Sequence, residues 1–321
     1  MTDWRTPRVL VTGASGFVGA NLVQALRDAG CTDILAVRRR DYDLTRQVDV
    51  ARLFERHHPE IIFHLAGLVG GILANKERPA EYFYQNLMMG TLLVHFASLQ
   101  PARKLIAAGA GCGYPEHAPV PLSEPSFWDG YPQKESAPYS LAKRLLSVQA
   151  QAYHEQYGLV TLIGIPGNIY GPYDNFDLYQ AHVIPALVRK FVDAVAQKAE
   201  EIVVWGDGKA ARDFVYVGDV VRGLIRMAEC YDRPVLINLS SGVATSVREV
   251  VELLQAITGF QGRVVWDTTK PSGQERRLFD VSRAKREMAF VAKVSLREGL
   301  ERTVEWYQRN RDKLVDGRLL A

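Results

Sequence analysis

Tyr139 and Lys143 are the residues whose types and spacing most directly suggest acid–base chemistry. They lie four positions apart, so in a helix they would share one face, one turn from each other. A neighbouring ammonium stabilises a phenolate and lowers the pKa of the phenol below its usual value of about 10. Tyr139 could then donate and accept a proton near neutral pH. The same spacing also occurs as surface decoration, so the prediction depends on a cofactor site elsewhere in the chain.

A glycine-rich turn near the start of the chain is the predicted cofactor site. It follows an apolar run and precedes a helical pattern. Gly13 would permit the tight turn, Gly16 would let the backbone approach a pyrophosphate, and Gly19 would allow close packing of helix on strand. A structural turn can have the same G-x-x-G-x-x-G spacing, but the position between strand and helix favours dinucleotide binding. The predicted contacts from this turn are Gly13, Ser15, Gly16, Phe17, Val18 and Gly19.

Three arginines follow the second predicted strand, at residues 34–37. A site for NAD usually has an acidic residue here, whereas arginine suits a 2′-phosphate. We therefore predict NADP(H) as cofactor, with Arg38 and Arg39 as phosphate contacts; the alternative is a solvated basic loop. Asp43 and Leu44 come next and are expected beside the adenine.

The composition is that of a soluble globular protein, since 47% of the 321 residues are apolar and 23% are charged. A net charge of +3 is too small to indicate nucleic acid and suits an anionic small molecule equally well. The three cysteines, Cys31, Cys112 and Cys230, are scattered without metal-ligand spacing. This favours a reducing, cytoplasmic compartment and no metal site. We expect neither a membrane span nor a signal peptide.

Strands and helices alternate over the first half of the chain, which is typical of an α/β protein with a parallel, doubly wound sheet of the Rossmann type. His64 follows an apolar run and is interpreted as a packed core residue rather than a ligand. The pattern changes after residue 171. We predict an NADP-binding Rossmann domain at 1–171, with returning segments near 212–241, and a smaller C-terminal α/β substrate domain at 172–321.

Four stretches, in this order, point to a known family: TGASGFVG (12–19), YSLAK (139–143), PGNIYGP (166–172) and RDFVYVGD (212–219). With them, nearly the whole chain resembles the extended short-chain dehydrogenases/reductases, the NAD-dependent epimerases and dehydratases that act on nucleotide sugars. Five further stretches narrow the resemblance to epimerase-reductases of GDP-4-keto-6-deoxy sugars: residues 69–75, GCGYP (111–115), YDNF (173–176), HVIPAL (182–187) and KPSG (270–273).

The resemblance implies a bifunctional reaction with NADP(H) on a GDP-linked sugar. Tyr139 would protonate the C4 oxygen as hydride arrives, and Lys143 would hold the nicotinamide ribose. Cys112 and His182 would be the acid/base pair that inverts C3 and C5. The chemistry is reasonable in itself, because a 4-keto group acidifies the protons on C3 and C5, and a thiol and an imidazole titrate at about 8.5 and 6.5, on either side of neutral pH.

The resemblance also implies further contacts and an assembly. Those with the cofactor are Leu65, Ala66, Gly67, Pro166, Asn168, Ile169 and His182; those with the substrate are Asn75, Lys190, Trp205, Arg212 and Lys270. A homodimer is expected, since the predicted helices at 86–99 and 138–157 have enough apolar surface to pair across an interface. Simpler readings remain for three of the residues: Cys112 as a small buried hydrophobe, His182 as a polar loop residue and Arg212 as an ion-pair partner of Asp213 or Asp219.

Ala110 departs from the family pattern, which has Ser or Thr at this position to hydrogen-bond the keto oxygen. Loss of such a donor can cost about 10²–10³ in rate. Another group could supply the bond, the reductase step could be weak, or the substrate could be a related 4-keto nucleotide sugar. The alternative functions are therefore a simple NDP-sugar 4-epimerase or 4-ketoreductase, an epimerase with a weakened reductase step, or a non-enzymatic module that senses NADP.

Overall fold

The computed structural model describes residues 3–100, 102–178, 180–270 and 275–319. Most of the KPSG stretch, at 271–273, therefore lies outside the described residues. The strands are β1 Val9–Thr12, β2 Ile34–Val37, β3 Ile61–His64, β4 Lys104–Ala108, β5 Val160–Pro166, β6 Asn168–Tyr170, β7 Glu201–Trp205, β8 Ala211–Tyr216, β9 Val235–Leu239, β10 Ala244–Ser246, β11 Arg263–Asp267, β12 Arg276–Arg277, β13 Leu314–Val315 and β14 Arg318–Leu319. The helices are α1 Phe17–Asp28, α2 Gln47–His57, α3 Ile72–Glu77, α4 Pro79–Ser98, α5 Ala137–Tyr157, α6 Val183–Gln197, α7 Val217–Cys230, α8 Val247–Thr258, α9 Ser282–Met288 and α10 Leu296–Asn310.

Six parallel strands form the central sheet, in the order β2-β1-β3-β4-β5-β9. The short runs of Val, Ile, Leu and Phe in β1, β3, β4, β5 and β9 are mostly buried because helices cover both faces, whereas the edge strand β2 is partly exposed. Side chains of α1 and α7 fill one face, and side chains of α2, α4 and α5 fill the other. The predicted α/β, doubly wound Rossmann sheet is confirmed. Its strands all end at one edge, where loops and helix N-termini meet, and open α/β sheets bind their ligands at such an edge.

The later part of the chain contributes to two regions. Strand β9 lies beside β5 in the central sheet. Strand β8, in contrast, pairs with β6, β10 and β12 in a separate small sheet, so only the helix that follows it, α7, covers the central sheet. Helices α6, α8 and α10 share a core around Phe191, Leu254 and Tyr307. The division at residue 171 remains a prediction.

Within the described ranges, no helix is both long and apolar enough to cross a membrane. Over the same residues, no group of three His, Cys, Asp or Glu side chains is placed to hold a metal ion.

Candidate active site

The glycine turn has the geometry that a close-packed phosphate loop requires. Gly13 has a φ of 70°, and a Cβ on it would lie 2.7 Å from the backbone nitrogen of Ala66. A Cβ on Gly19 would lie 2.0 Å from the carbonyl oxygen of Gly13. Gly16 is the N-cap of α1, where no described side chain caps the helix and no acidic residue lies in the first turn. The N–H groups of Phe17 and its neighbours can therefore face an anion.

Thr12 and His64 hold the neighbouring loop against this turn. The Thr12 hydroxyl lies 3.0 Å from Nδ1 of His64 and accepts a hydrogen bond of 3.3 Å from the backbone N–H of Ala66. Burial lowers the pKa of His64 to about 3, so its imidazole is neutral. His64 is a core residue, as predicted. Leu65, Ala66 and Gly67 thus follow β3 directly beside the glycine turn.

The arginines after β2 differ in their partners. Arg39 lies 3.8 Å from a carboxylate oxygen of Asp43, and Arg40 lies 3.9 Å from one of Asp41. Arg38 is exposed and makes no ion pair with any described residue. Asp43 also accepts hydrogen bonds from Thr45. Among the three arginines, Arg38 is therefore the one whose charge is most available to a phosphate.

Tyr139 and Lys143 lie near the N-terminus of α5, one turn apart as predicted. The Lys143 ammonium is buried and donates a hydrogen bond of 3.3 Å to the carbonyl oxygen of Ala108. Burial lowers the pKa of Lys143 to about 8. The Lys143 ammonium also lies 3.6 Å from the point that a Cβ on Gly67 would occupy, so it faces the loop after β3.

The prediction that Lys143 lowers the pKa of Tyr139 is wrong for this structure. Burial of the phenol raises its pKa, and negative charge at Cys112 and Tyr82 raises it further. The ammonium is bound to the Ala108 carbonyl and does not outweigh these effects. Tyr139 is therefore protonated at neutral pH, which is the form that a proton donor needs.

Cys112 lies in a single 3₁₀ turn, Gly111–Gly113, directly after β4. Two arginines hold this turn, which sequence reasoning did not anticipate: the half-buried Arg277 donates to the carbonyl oxygen of Gly111, and the buried Arg144 donates to that of Gly113. Arg144 also donates a hydrogen bond of 2.8 Å to the carbonyl oxygen of Gly130. Arg144 follows Lys143 directly, a weak signal in the sequence. Nothing in the sequence marks Arg277, because only the pairing of β12 with β8 brings it here.

The surroundings of Cys112 are charged rather than apolar. Burial lowers the pKa of Lys143, Arg144 and Arg277, whereas negative charge at Cys112 raises all three. The side chain is half-buried and borders a cavity of about 370 Å³. The interpretation of Cys112 as a packed core residue is therefore wrong.

His182 lies at the N-cap of α6. Its imidazole is open to solvent, but the protein around it still disfavours the charged form and lowers the pKa of His182. No hydrogen bond in the described part of the chain joins it to Cys112 or Tyr139. Its role in catalysis remains a prediction. Pro166, Asn168 and Ile169 are half-buried at the end of β5 and the start of β6.

Arg212 and Arg277 form a pair of cations on adjacent strands, at matched positions of β8 and β12. Burial lowers the pKa of Arg212, and the charge of Arg277 lowers it further. The alternative ion pair of Arg212 is not formed among the described residues, and Asp213 accepts hydrogen bonds from Ser241 and Gly242. Asp219 instead pairs with Arg222 at 2.5 Å. Two like charges held side by side provide a site for an anion.

Two other predicted substrate residues, Lys190 and Lys270, both lie beside Trp205. The ammonium of Lys190 lies 5.8 Å from the centre of the indole and that of Lys270 lies 5.9 Å from it. The indole is 56% exposed, so its face and both cations can meet a ligand. Lys190 also donates to the carbonyl oxygen of Val203.

Asn75 is buried near the cleft with half of its amide unpaired. Its Nδ2 donates hydrogen bonds of 3.0 Å to the carbonyl oxygens of Gly70 and Gly71. Its Oδ1 has no partner among the described residues. A buried acceptor without a partner is costly, which suits a residue that meets a ligand.

Known proteins match both the sequence and the fold. Residues 9–239 match the model of the NAD dependent epimerase/dehydratase family. GDP-L-fucose synthase 1 of Arabidopsis thaliana is 36% identical over 310 residues, 97% of this chain and 95% of the relative. The structure of a GDP-L-fucose synthetase from Naegleria fowleri bound to NADP is 25% identical with a TM-score of 0.90, over 97% of this chain and 95% of that one.

A GDP-6-OMe-4-keto-L-xylo-heptose reductase from C. jejuni is also similar, at 27% identity and a TM-score of 0.86 over 97% of this chain and 99% of that one. The family match covers more than half of the chain, and the relatives extend over nearly all of it. The glycine turn, the Tyr139/Lys143 pair and the central sheet agree with these matches. The chain belongs to the NAD dependent epimerase/dehydratase family.

Proposed function

We propose that the protein is an NADPH-dependent epimerase-reductase of a GDP-4-keto-6-deoxy sugar, similar to GDP-L-fucose synthase. The observation that carries the proposal is that the turn with Cys112 is held against α5, the helix of Tyr139 and Lys143, close enough for a charge on Cys112 to affect the pKa of both. A reductase alone needs the phenol and the ammonium, whereas a thiol beside them adds a second acid/base group. The similarity to a GDP-L-fucose synthase of Arabidopsis thaliana supports the choice of sugar.

The cofactor site uses the glycine turn and the ends of the first strands. Gly13, Gly16 and the first turn of α1 would hold the diphosphate of NADP(H), and Arg38 would hold the 2′-phosphate. Lys143 would bind the nicotinamide ribose in place of the Ala108 carbonyl. When bound, NADPH supplies a hydride to C4 of the sugar. The binding of NADP by the similar structure from Naegleria fowleri supports this cofactor.

Side chains of the protein transfer the protons in both reactions. The keto group at C4 acidifies the protons on C3 and C5, so one of Cys112 and His182 removes a proton and the other returns one to the opposite face. Tyr139 hydrogen-bonds the C4 oxygen during this exchange and gives up its own proton when that oxygen becomes an alkoxide. Arg144 and Arg277 fix the turn that carries Cys112, so the thiol keeps its position through both inversions.

We assign the remaining cationic side chains to the nucleotide part of the substrate. Arg212 and Arg277 would bind its phosphate oxygens, since their mutual repulsion is relieved by an anion between them. Lys190, Trp205 and Lys270 would hold the nucleoside. We assign substrate binding to residues 172–321 and a cytoplasmic location to the chain, which suits its unpaired cysteines.

Isotope exchange tests this function. In deuterated water with NADPH and GDP-4-keto-6-deoxymannose, the protein should oxidise NADPH and place deuterium at C3 and C5 of the product. The variant Cys112→Ser with His182→Gln should lose deuterium uptake, and Cys112→Ser alone should keep the cofactor affinity. Reduction without uptake in the unmodified protein would instead favour a 4-ketoreductase, which the similarity to the C. jejuni heptose reductase makes the second candidate.

A further inference from the structure

Position 110 lacks the hydroxyl that the family pattern places beside the catalytic phenol. Ala110 is buried at the end of β4, and Gly111 follows it, so neither side chain can donate a hydrogen bond. The negative charge that develops on a keto oxygen during enolisation or reduction is strongly stabilised by more than one donor. A second hydroxyl near Tyr139 would therefore be expected if the proposed function holds.

Tyr82 provides a hydroxyl beside Tyr139. It lies in the first turn of α4, as Tyr139 lies in the first turn of α5, so both are at the ligand edge of the sheet. The two ring centres are 6.4 Å apart and the planes meet at 78°. Negative charge on Tyr82 raises the pKa of Tyr139, so the two phenol groups are electrostatically coupled. One turn later, Asn86 and Lys143 both contact the loop at Gly67, which fixes the register of the two helices.

The side chain of Tyr82 is buried, at 2% exposure, and its hydroxyl has no partner among the described residues. It lies over Gly70, where a Cβ would be 2.2 Å from the hydroxyl oxygen. The guanidinium of Arg78 lies 5.8 Å from the ring centre, so a cation covers one face of the ring. Asn75, which donates to the carbonyl oxygen of Gly70, has a buried Oδ1 without a partner among the described residues.

We propose that the Tyr82 hydroxyl donates the second hydrogen bond to the keto oxygen of the substrate, in place of a hydroxyl at position 110. Tyr82 donates to this oxygen while Tyr139 transfers its proton to it. No bond to Tyr82 is made or broken. The inference rests on the proposed function, because it requires a keto oxygen beside Tyr139. It extends that function by assigning a contact to a residue outside the matched motifs.

Three variants test the proposal. Tyr82→Phe should lower kcat for reduction about 10²-fold or more and slow deuterium uptake by a similar factor, because both steps place negative charge on the same oxygen. Ala110→Ser in the Tyr82→Phe background should restore at least a tenth of the lost rate, whereas Ala110→Ser alone should change little. The matched control is Tyr84→Phe, which removes an exposed hydroxyl from the same helix and should leave both rates unchanged.

Rescue separates this role from a structural one, since a hydroxyl at position 110 cannot repair packing around Tyr82. The affinity for NADPH and the Tm of Tyr82→Phe should match those of the unmodified protein. Reduction by Tyr82→Phe within about twofold of the unmodified rate, or no rescue by Ala110→Ser, would overturn the proposal. Absence of any turnover in the unmodified protein would overturn the proposed function and this inference together.

Discussion

At the scale of single residues, surroundings decide what a side chain can do. A Tyr and a Lys one turn apart suggest a phenol with a lowered pKa, but burial raises the pKa of Tyr139 and keeps its proton in place. Cys112 looks like a small hydrophobe in the sequence, but it faces cationic groups from α5 and β12. The same residue types on an exposed surface would have no such properties.

Lys143 should reduce stability at neutral pH, because a buried ammonium loses its hydration. Its pKa falls to about 8 in the folded protein from the ordinary 10.5. A pKa shift of this size lowers the free energy of unfolding by about 3 kcal/mol. The hydrogen bond of Lys143 to Ala108 restores about 1 kcal/mol of it. Lys143→Met should therefore raise the free energy of unfolding at pH 7 by about 1–2 kcal/mol while reduction is lost.

The pH dependence of this effect has a defined sign. Between about pH 8 and 10.5 the unfolded chain binds the lysine proton and the folded protein does not. The stability of the unmodified protein therefore rises with pH across that window, and the advantage of Lys143→Met should shrink by pH 10. Thermal or urea unfolding at pH 7 and pH 10 measures both values. A variant less stable than the unmodified protein at pH 7 would contradict this prediction.

At the scale of elements, short contacts between a strand end and the next helix position the side chains of the site. Helix α4 shows how the sequence and the structure differ: the predicted helix began at residue 86, whereas the observed one begins at Pro79, and the missed turn contains Tyr82. Proline suits the first turn of a helix because its missing N–H is not needed there. The turn was missed because it is mixed in polarity, although it packs against α5 and the loop after β3.

Gly19 is the residue on which the contact between α1 and the glycine turn depends. A methyl group there would lie 2.0 Å from the carbonyl oxygen of Gly13, which belongs to the backbone and cannot move aside alone. Gly19→Ala should therefore destabilise the protein by about 1–3 kcal/mol and weaken NADPH binding, despite the better helix propensity of Ala.

Gly71→Ala is the matched control for this prediction, since, chain neighbours aside, no atom of the described residues lies within 4 Å of the added methyl group. Its free energy of unfolding should change little. Urea unfolding and fluorescence titration with NADPH measure the two effects. Equal stability of Gly19→Ala and the unmodified protein would show that the helix can shift without cost.

At the scale of the whole molecule, α4 and α5 present apolar groups to the outside. Leu145 is 39% exposed and Val148 is 54% exposed on α5, while Tyr84 is 56% exposed on α4. Exposed apolar side chains on two long helices that pack together are typical of an interface between copies of a chain. We propose a homodimer in which these helices pack against those of a second copy.

Charge on this surface should separate the copies. Leu145→Glu with Val148→Glu should convert the dimer into a folded monomer, because two carboxylates would lose their hydration at the interface. Light scattering after gel filtration measures the mass. Val48→Glu, at an exposed position on α2, is the control and should leave the mass unchanged. A monomeric unmodified protein, or a dimer that survives both substitutions, would contradict the proposal.

The sequence by itself determined the fold class and the family, because their signals are local. A glycine turn between a strand and a helix, the alternation of strands and helices, and Tyr139 four residues before Lys143 are each contained in one short segment. Such patterns follow from backbone geometry and the period of each element, so they need no knowledge of distant contacts.

Only the tertiary structure decided how the site is completed. Arg277 reaches the turn of Cys112 through the pairing of β12 with β8, and Tyr82 reaches Tyr139 through the packing of α4 on α5. The separate sheet that contains β8 also forms by pairing of strands that are distant in the sequence. Burial likewise sets the pKa values of Tyr139 and Lys143, with opposite consequences for the two groups. These features depend on residues far apart in the chain, and desolvation depends on everything packed around a group, so no local pattern could specify them.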